Sequence, residues 1–156
     1  MPGGSQFDLF VQRRFMPFFM TQALGAFNDN IFKNALAALL VFKASQMGGL
    51  NTDQLVNLSA MLFILPFFLF SALFGQFADK FEKSLQIRRV KLFEVVIGLL
   101  ALLGFWLDNV PLLLFVLFLL GLQSTIFGPI KYGILPQILR RDELVGGNAL
   151  VEMGTF

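Results

Sequence analysis

The chain has 156 residues, 56% of them apolar and only 14% Asp, Glu, Lys or Arg, against roughly 25% charged residues in soluble globular domains. It holds 21 Phe, more hydrocarbon than a soluble domain of this length can hide, so lipid is the expected solvent for much of the surface. Cys and His are absent and the net charge is only +2, which excludes a disulfide framework, a thiolate nucleophile, a Cys/His zinc site and a His general base within these residues; no metal, no cofactor and no nucleic-acid partner is expected.

In chain order, Met1 to Arg14 is polar and leads into an apolar run too long for a signal-peptide core, with no small-residue cleavage site after it, so no cleavable secretory signal is expected. Four apolar stretches then follow, at about residues 15–42, 58–78, 90–107 and 111–135. Each approaches or exceeds the roughly 20 residues that cross about 30 Å of hydrocarbon. Between them the sequence predicts a polar loop over 43–57 with Gly48-Gly49 as its turn, a charged loop over 79–91, and a tight turn at Asp108-Asn109-Val110 with Pro111 opening the next helix. Residues 137–156 read as a cytoplasmic amphipathic link that begins a fifth helix. Four core helices of a soluble protein are the competing reading, but runs this long and apolar are rare in soluble interiors.

Cations in the short loops set the expected orientation. Arg13 and Arg14, then Lys80, Lys83, Arg88, Arg89 and Lys91, then Arg140 and Arg141 fall on one side, against Lys43 alone on the other. The N-terminus and the second–third loop are therefore expected in the cytoplasm, with Trp106 at the outer interface and Tyr132 near the inner one.

Some residues do not belong in lipid. The first stretch contains Phe27-Asn28-Asp29-Asn30-Ile31-Phe32-Lys33-Asn34, and Asp29 falls in its middle portion. A central charge costs at least about 2.5–3.5 kcal/mol on insertion scales, so the cluster needs a reason. Asp29 and Lys33 are four apart, acid before base, and are expected to share a face and partly neutralise each other, with Asn30 and Asn34 as a second such pair. Two readings stand: a substrate or coupling-ion site, or an interhelical polar clamp. Five polar side chains in eight residues favour the site.

In the second stretch Ser71 and Gly75 are small and four apart, which lets a neighbouring helix approach, and Asp79 stands at the cytoplasmic mouth. In the fourth, Pro129 and Pro136 each remove a helical donor, so a kink or break is expected near the cytoplasmic end. Lys131 either snorkels to the inner interface or binds an anionic group. Glu94 is expected near the interface, and Asp79, Glu94 and Lys131 are candidates for a gate network.

The segment Gly75-Gln76-Phe77-Ala78-Asp79-Lys80-Phe81-Glu82-Lys83 resembles the signature G-x-x-x-D-[RK]-x-G-[RK]-[RK] between helices two and three of the major facilitator superfamily. Gly75, Asp79, Lys80 and Lys83 fit; Glu82 and Ser84 depart from it. Phe27-Asn28-Asp29-Asn30, Gly75-Gln76-Phe77-Ala78-Asp79, Pro129-Ile130-Lys131-Tyr132-Gly133-Ile134-Leu135 and Asn148-Ala149-Leu150-Val151-Glu152 together resemble, in order, motifs of the lysophospholipid transporter branch of that superfamily.

The resemblance implies an all-α membrane protein: the first four transmembrane helices and the start of a fifth, from the N-terminal six-helix half of a twelve-helix fold, hence a fragment inactive alone. It implies a bacterial inner-membrane location, remaining transporter helices and membrane lipid as partners, and lysophospholipid or another small amphipathic molecule as substrate. Asp29, Asn30 and Lys33 would then contact a headgroup and Lys131 its phosphate, while Gly75, Asp79, Lys80 and Lys83 would serve the inter-helix charge network. The same scaffold suits a drug or metabolite exporter. Some relatives carry a C-terminal acyltransferase or acyl-carrier-protein synthetase, so the chain also fits the membrane region of a phospholipid-remodelling acyltransferase. Without His, these residues cannot supply an H-x-x-x-x-D acyltransferase motif.

Overall fold

A computed structural model describes residues 6–47 and 51–155, without the side chains of 44–47 and 52. The predicted Gly48-Gly49 turn lies outside the described residues. A short 3-10 turn, Gln6–Val11, precedes five α-helices: α1 Met16–Met47, α2 Thr52–Lys80, α3 Lys83–Trp106, α4 Val110–Ile138 and α5 Leu144–Met153. The described residues contain no strand.

Two predicted loops are much shorter than the sequence suggested. Helix α1 continues to Met47 and α2 already starts at Thr52. Residues 79–91 are not a loop, because α3 starts at Lys83 and leaves only Phe81 and Glu82 between helices. Charged residues do not end a helix by being charged: Lys, Arg, Gln and Glu are good helix formers, and their side chains here lie along the first turns of α3. Gln86 helps to close the joint, its Nε2 donating to the carbonyls of Phe81 at 2.8 Å and Ala78 at 3.2 Å at the end of α2.

Helix α4 is not broken at its prolines: it runs as one helix through Pro129 and Pro136. It is packed by α2, α3, α1 and α5, and that packing holds the helix across the two missing donors. Gly121 permits a close backbone approach: a Cβ there would collide with the backbone carbonyl of Phe63 on α2. The turn into α4 is held by Asn109, whose side chain accepts from Leu112 N at 3.0 Å. Asp108 adopts φ 51°, a left-handed conformation that Asp tolerates better than most residues.

By length and composition, α2 and α4 are apolar enough to cross a membrane. The described residues are thus all-helical, with two helices capable of crossing a membrane. Helices α1 and α3 are long as well, but Gln22, Asn28, Asp29, Asn30, Lys33 and Asn34 dilute the first, and Arg88, Arg89, Lys91 and Glu94 the second.

Helix α1 buries one stripe: Gln22, Gly25, Asp29, Phe32, Leu36 and Leu40, the alternating spacing of three and four that keeps side chains on one face. Its far half joins Ile97, Leu113, Val116, Leu117 and Leu120 in an apolar cluster. At the opposite end Leu9, Phe15, Leu135, Leu139, Leu150 and Val151 form a second. That end also gathers the cations: Arg14 donates to the Ile138 carbonyl at the end of α4, and Lys83 packs against Gly133. The polar part of the stripe, Gln22 to Asp29, falls between the two clusters.

Candidate substrate-binding cavity

A cavity of about 280 Å³ opens there, lined by Gln22, Gly25 and Asp29 of α1, Phe67 of α2, Lys91 and Glu94 of α3, Gln123, Ser124, Phe127, Gly128, Lys131 and Tyr132 of α4, and Thr155 beyond α5. This is near the lower end of ligand-pocket volumes, roughly 300–1,000 Å³, and suits a polar headgroup better than an acyl chain.

On one wall, hydrogen bonds run between three helices. Ser124 Oγ donates to Asp29 Oδ2 at 3.1 Å, with Gln123 Oε1 as its alternative acceptor at 3.4 Å. Gln123 Nε2 donates to Glu94 Oε2 at 2.8 Å, and Lys91 Nζ pairs with the same oxygen at 2.6 Å. Lys91 also lies over the Phe127 ring, 4.7 Å from its centroid. Asp29 is 9% exposed, and its Oδ1 is buried without a hydrogen-bond partner. A polar atom this enclosed normally finds a partner, because leaving it unsatisfied costs about 1–3 kcal/mol.

On the other wall Lys131 Nζ donates to Thr155 Oγ1 at 3.1 Å and lies 3.8 Å from Glu152. Tyr132 donates its hydroxyl to Glu152. Gln22 Nε2 donates to the Val151 carbonyl at 3.1 Å, which ties α1 to α5. Lys131 is therefore buried against Glu152 of α5 and Thr155 beyond it.

Of the residues singled out in the sequence, Asp29, Lys131 and Glu94 are brought together around one cavity. Glu94 does not lie at the start of α3: the helix begins at Lys83, which places Glu94 about 16 Å along it. Lys33 does not pair with Asp29. It turns toward α2, its Nζ 4.6 Å from the Phe63 ring centroid, and with Asn34 lines a separate cavity of about 300 Å³. Asn30 is half-buried and lines neither cavity. A four-residue step advances about 400° around a helix, and the extra 40° is enough here for a different neighbour to claim Lys33.

Asp79 does not join Glu94 and Lys131 as a gate. It is exposed in the last turn of α2, as is Lys80, and neither forms an ion pair among the described residues. Lys80 lies 6.0 Å from the Phe81 ring centroid. Gly75 has open space where its Cβ would be, so none of the described helices makes a close approach there. Gln22, Lys91, Gln123, Ser124 and Thr155 are the polar cavity residues that sequence reasoning missed, with Gly25, Ala26, Phe67 and Phe127 the apolar ones. Gln123 and Ser124 carried a signal, as adjacent polar residues inside an apolar run, and Gln22 lies seven residues before Asp29.

The described helices thus enclose a charged, partly open cavity. Curated relatives to which the chain is similar are named as transporters. The lysophospholipid transporter LplT of Enterobacter sp. (strain 638) is 33% identical over 135 residues, covering 86% of this chain and 31% of that protein. LplT of Cronobacter sakazakii is 31% identical over 155 residues, covering 99% and 35%, and that of Photorhabdus laumondii 31% over 137, covering 88% and 31%. The chain spans about a third of the length of these relatives. No family model matches the chain, and no solved structure matches it. Over the stretch it covers, the chain is similar to the LplT-type branch.

Proposed function

We propose that this chain is part of a bacterial inner-membrane transporter that moves lysophospholipid by alternating access, and that its cavity receives the headgroup. In this reading α1 to α4 all span the bilayer with the N-terminus in the cytoplasm, as the opening helices of a six-helix half of a major facilitator fold. The observation that carries it is the placement of Asp29 and Lys131 around one small cavity, with Asp29 Oδ1 left without a partner. A headgroup hydroxyl or ammonium satisfies that oxygen, and a phosphate suits the Lys131 ammonium. The names of the relatives support lysophospholipid as the cargo. Asn30 and Lys33, outside the cavity, are assigned no contact, and the surface-exposed Asp79 and Lys80 remain candidates for pairing with helices beyond this chain.

The test is uptake of labelled lysophospholipid by the full transporter in vesicles. Asp29→Ala and Lys131→Ala are each expected to abolish uptake at normal expression. Full uptake by both would dismiss the cavity as the site, and proton-coupled export of drugs without lipid movement would reassign the cargo.

A further inference from the structure

The Lys91–Glu94 pair has no part in the reading above, yet it faces the same cavity. Lys91 and Glu94 lie about 12 and 16 Å along α3. Their side chains are largely buried, 19% and 13% exposed, and a buried ion pair is a poor structural element, since hydrocarbon of similar size often does as well or better. The surroundings nonetheless make room for it. Gly25 on α1, one turn before Asp29, faces the pair with no side chain: a Cβ there would collide with Lys91 Nζ and come within 2.9 Å of Glu94 Oε1. From α4, Gln123 fixes Glu94, and the Phe127 ring lies beneath Lys91. Phe127 and Lys131 are one turn apart on α4, both buried, so the two ammonium groups flank one stretch of that helix. An ammonium has three donors, and one hydrogen bond to Glu94 leaves the others to spare.

We infer that Lys91 is a second contact for the phosphodiester of an amphiphilic substrate, kept in position by Glu94 until the headgroup arrives. The inference rests on the headgroup reading of the cavity. A phosphodiester has two unesterified oxygens; Lys131 takes one and Lys91 the other, the latter turning from Glu94 to the phosphate while Gln123 holds Glu94 back. Glu94 is then a positioning residue, and the pair is a resting state rather than a brace.

In the full transporter, Lys91→Gln is expected to raise the KM for labelled lysophospholipid at least tenfold while leaving most of the maximal rate, and Lys91→Arg to restore it. Glu94→Gln keeps the length and the Gln123 contact but releases Lys91, so KM falls; a brace would instead lose function. Should Lys91→Gln not accumulate, Lys91→Met with Glu94→Gln carries the test, because removing both charges leaves neither unpaired: a raised KM supports the contact and a wild-type KM overturns it. An unchanged KM in Lys91→Gln beside a crippled Lys131→Gln sinks this inference alone, whereas intact uptake in both sinks the cavity reading with it. Millimolar inorganic phosphate should not displace the lipid; displacement would assign the contact to the free ion and overturn the proposal.

Discussion

Ser124 of α4 holds one carboxylate oxygen of Asp29 of α1 at 3.1 Å and leaves the other with no partner. The acid is therefore oriented but not satisfied, the arrangement expected of a group that awaits a ligand rather than one that merely fastens two helices.

Ser124→Ala removes the one hydrogen bond to that carboxylate. A buried group stripped of its partner costs about 1–3 kcal/mol. The thermal midpoint of the purified transporter should fall by a few degrees, and added lysophospholipid should recover part of the loss by binding the native state. A midpoint equal to wild type would mean that the contact does not hold Asp29.

Gly121→Ala should destabilise more than any other glycine change in α4. The colliding atom is the Phe63 carbonyl, which is backbone and cannot rotate away, so α2 and α4 must part; overpacking of this kind costs about 1–3 kcal/mol. Gly128→Ala is the control, because open space surrounds its would-be Cβ. Detergent-resistant folding measured side by side should separate the two.

Gly25→Ala meets the flexible ends of Lys91 and Glu94 instead of backbone. The expected result is a protein that folds and inserts normally but takes up substrate poorly. Normal uptake would show that the pair can retreat without consequence.

The junction between α4 and α5 should respond to acid. The Arg140 N–H at 2.8 Å holds the Glu143 carboxyl below its ordinary value of 4.5, with Gln12 and the Arg14 guanidinium adding to the effect. A lowered folded-state pKa means the contribution is fully present above about 4.5 and is lost as pH falls through the lower native value. Protease cleavage at Arg140 and Arg141, in vesicles of whichever orientation exposes them, should therefore rise as pH falls through that value, using an acid-active enzyme. Glu143→Gln should be cleaved more readily at neutral pH and change little with acid.

Much of this was legible in the residues. Asp29 is conspicuous because a carboxylate inside an apolar run has few tolerable locations, and Lys131 because Pro129, Tyr132 and Gly133 surround it. Lys91 was not legible: it closes a row of loop-like cations, and only the start of α3 at Lys83 reveals that it lies well along a helix. Nor was the parting of Asp29 from Lys33, since spacing fixes a shared side only to within tens of degrees and the Phe63 ring decides the rest. Thr155 is distant in sequence from every other cavity residue, so its place depends on how α5 folds back.

The Gln6–Val11 turn sends Leu9 among Leu150 and Val151 of α5 and sets Gln6 against Gly146, while Arg14 grips Glu143 at 2.7 Å. The short helix that shelters Lys131 is thus leashed to the front of the polypeptide. A fluorophore placed on Phe7 would ride with that wall and report its swing, with no probe inside the cavity itself.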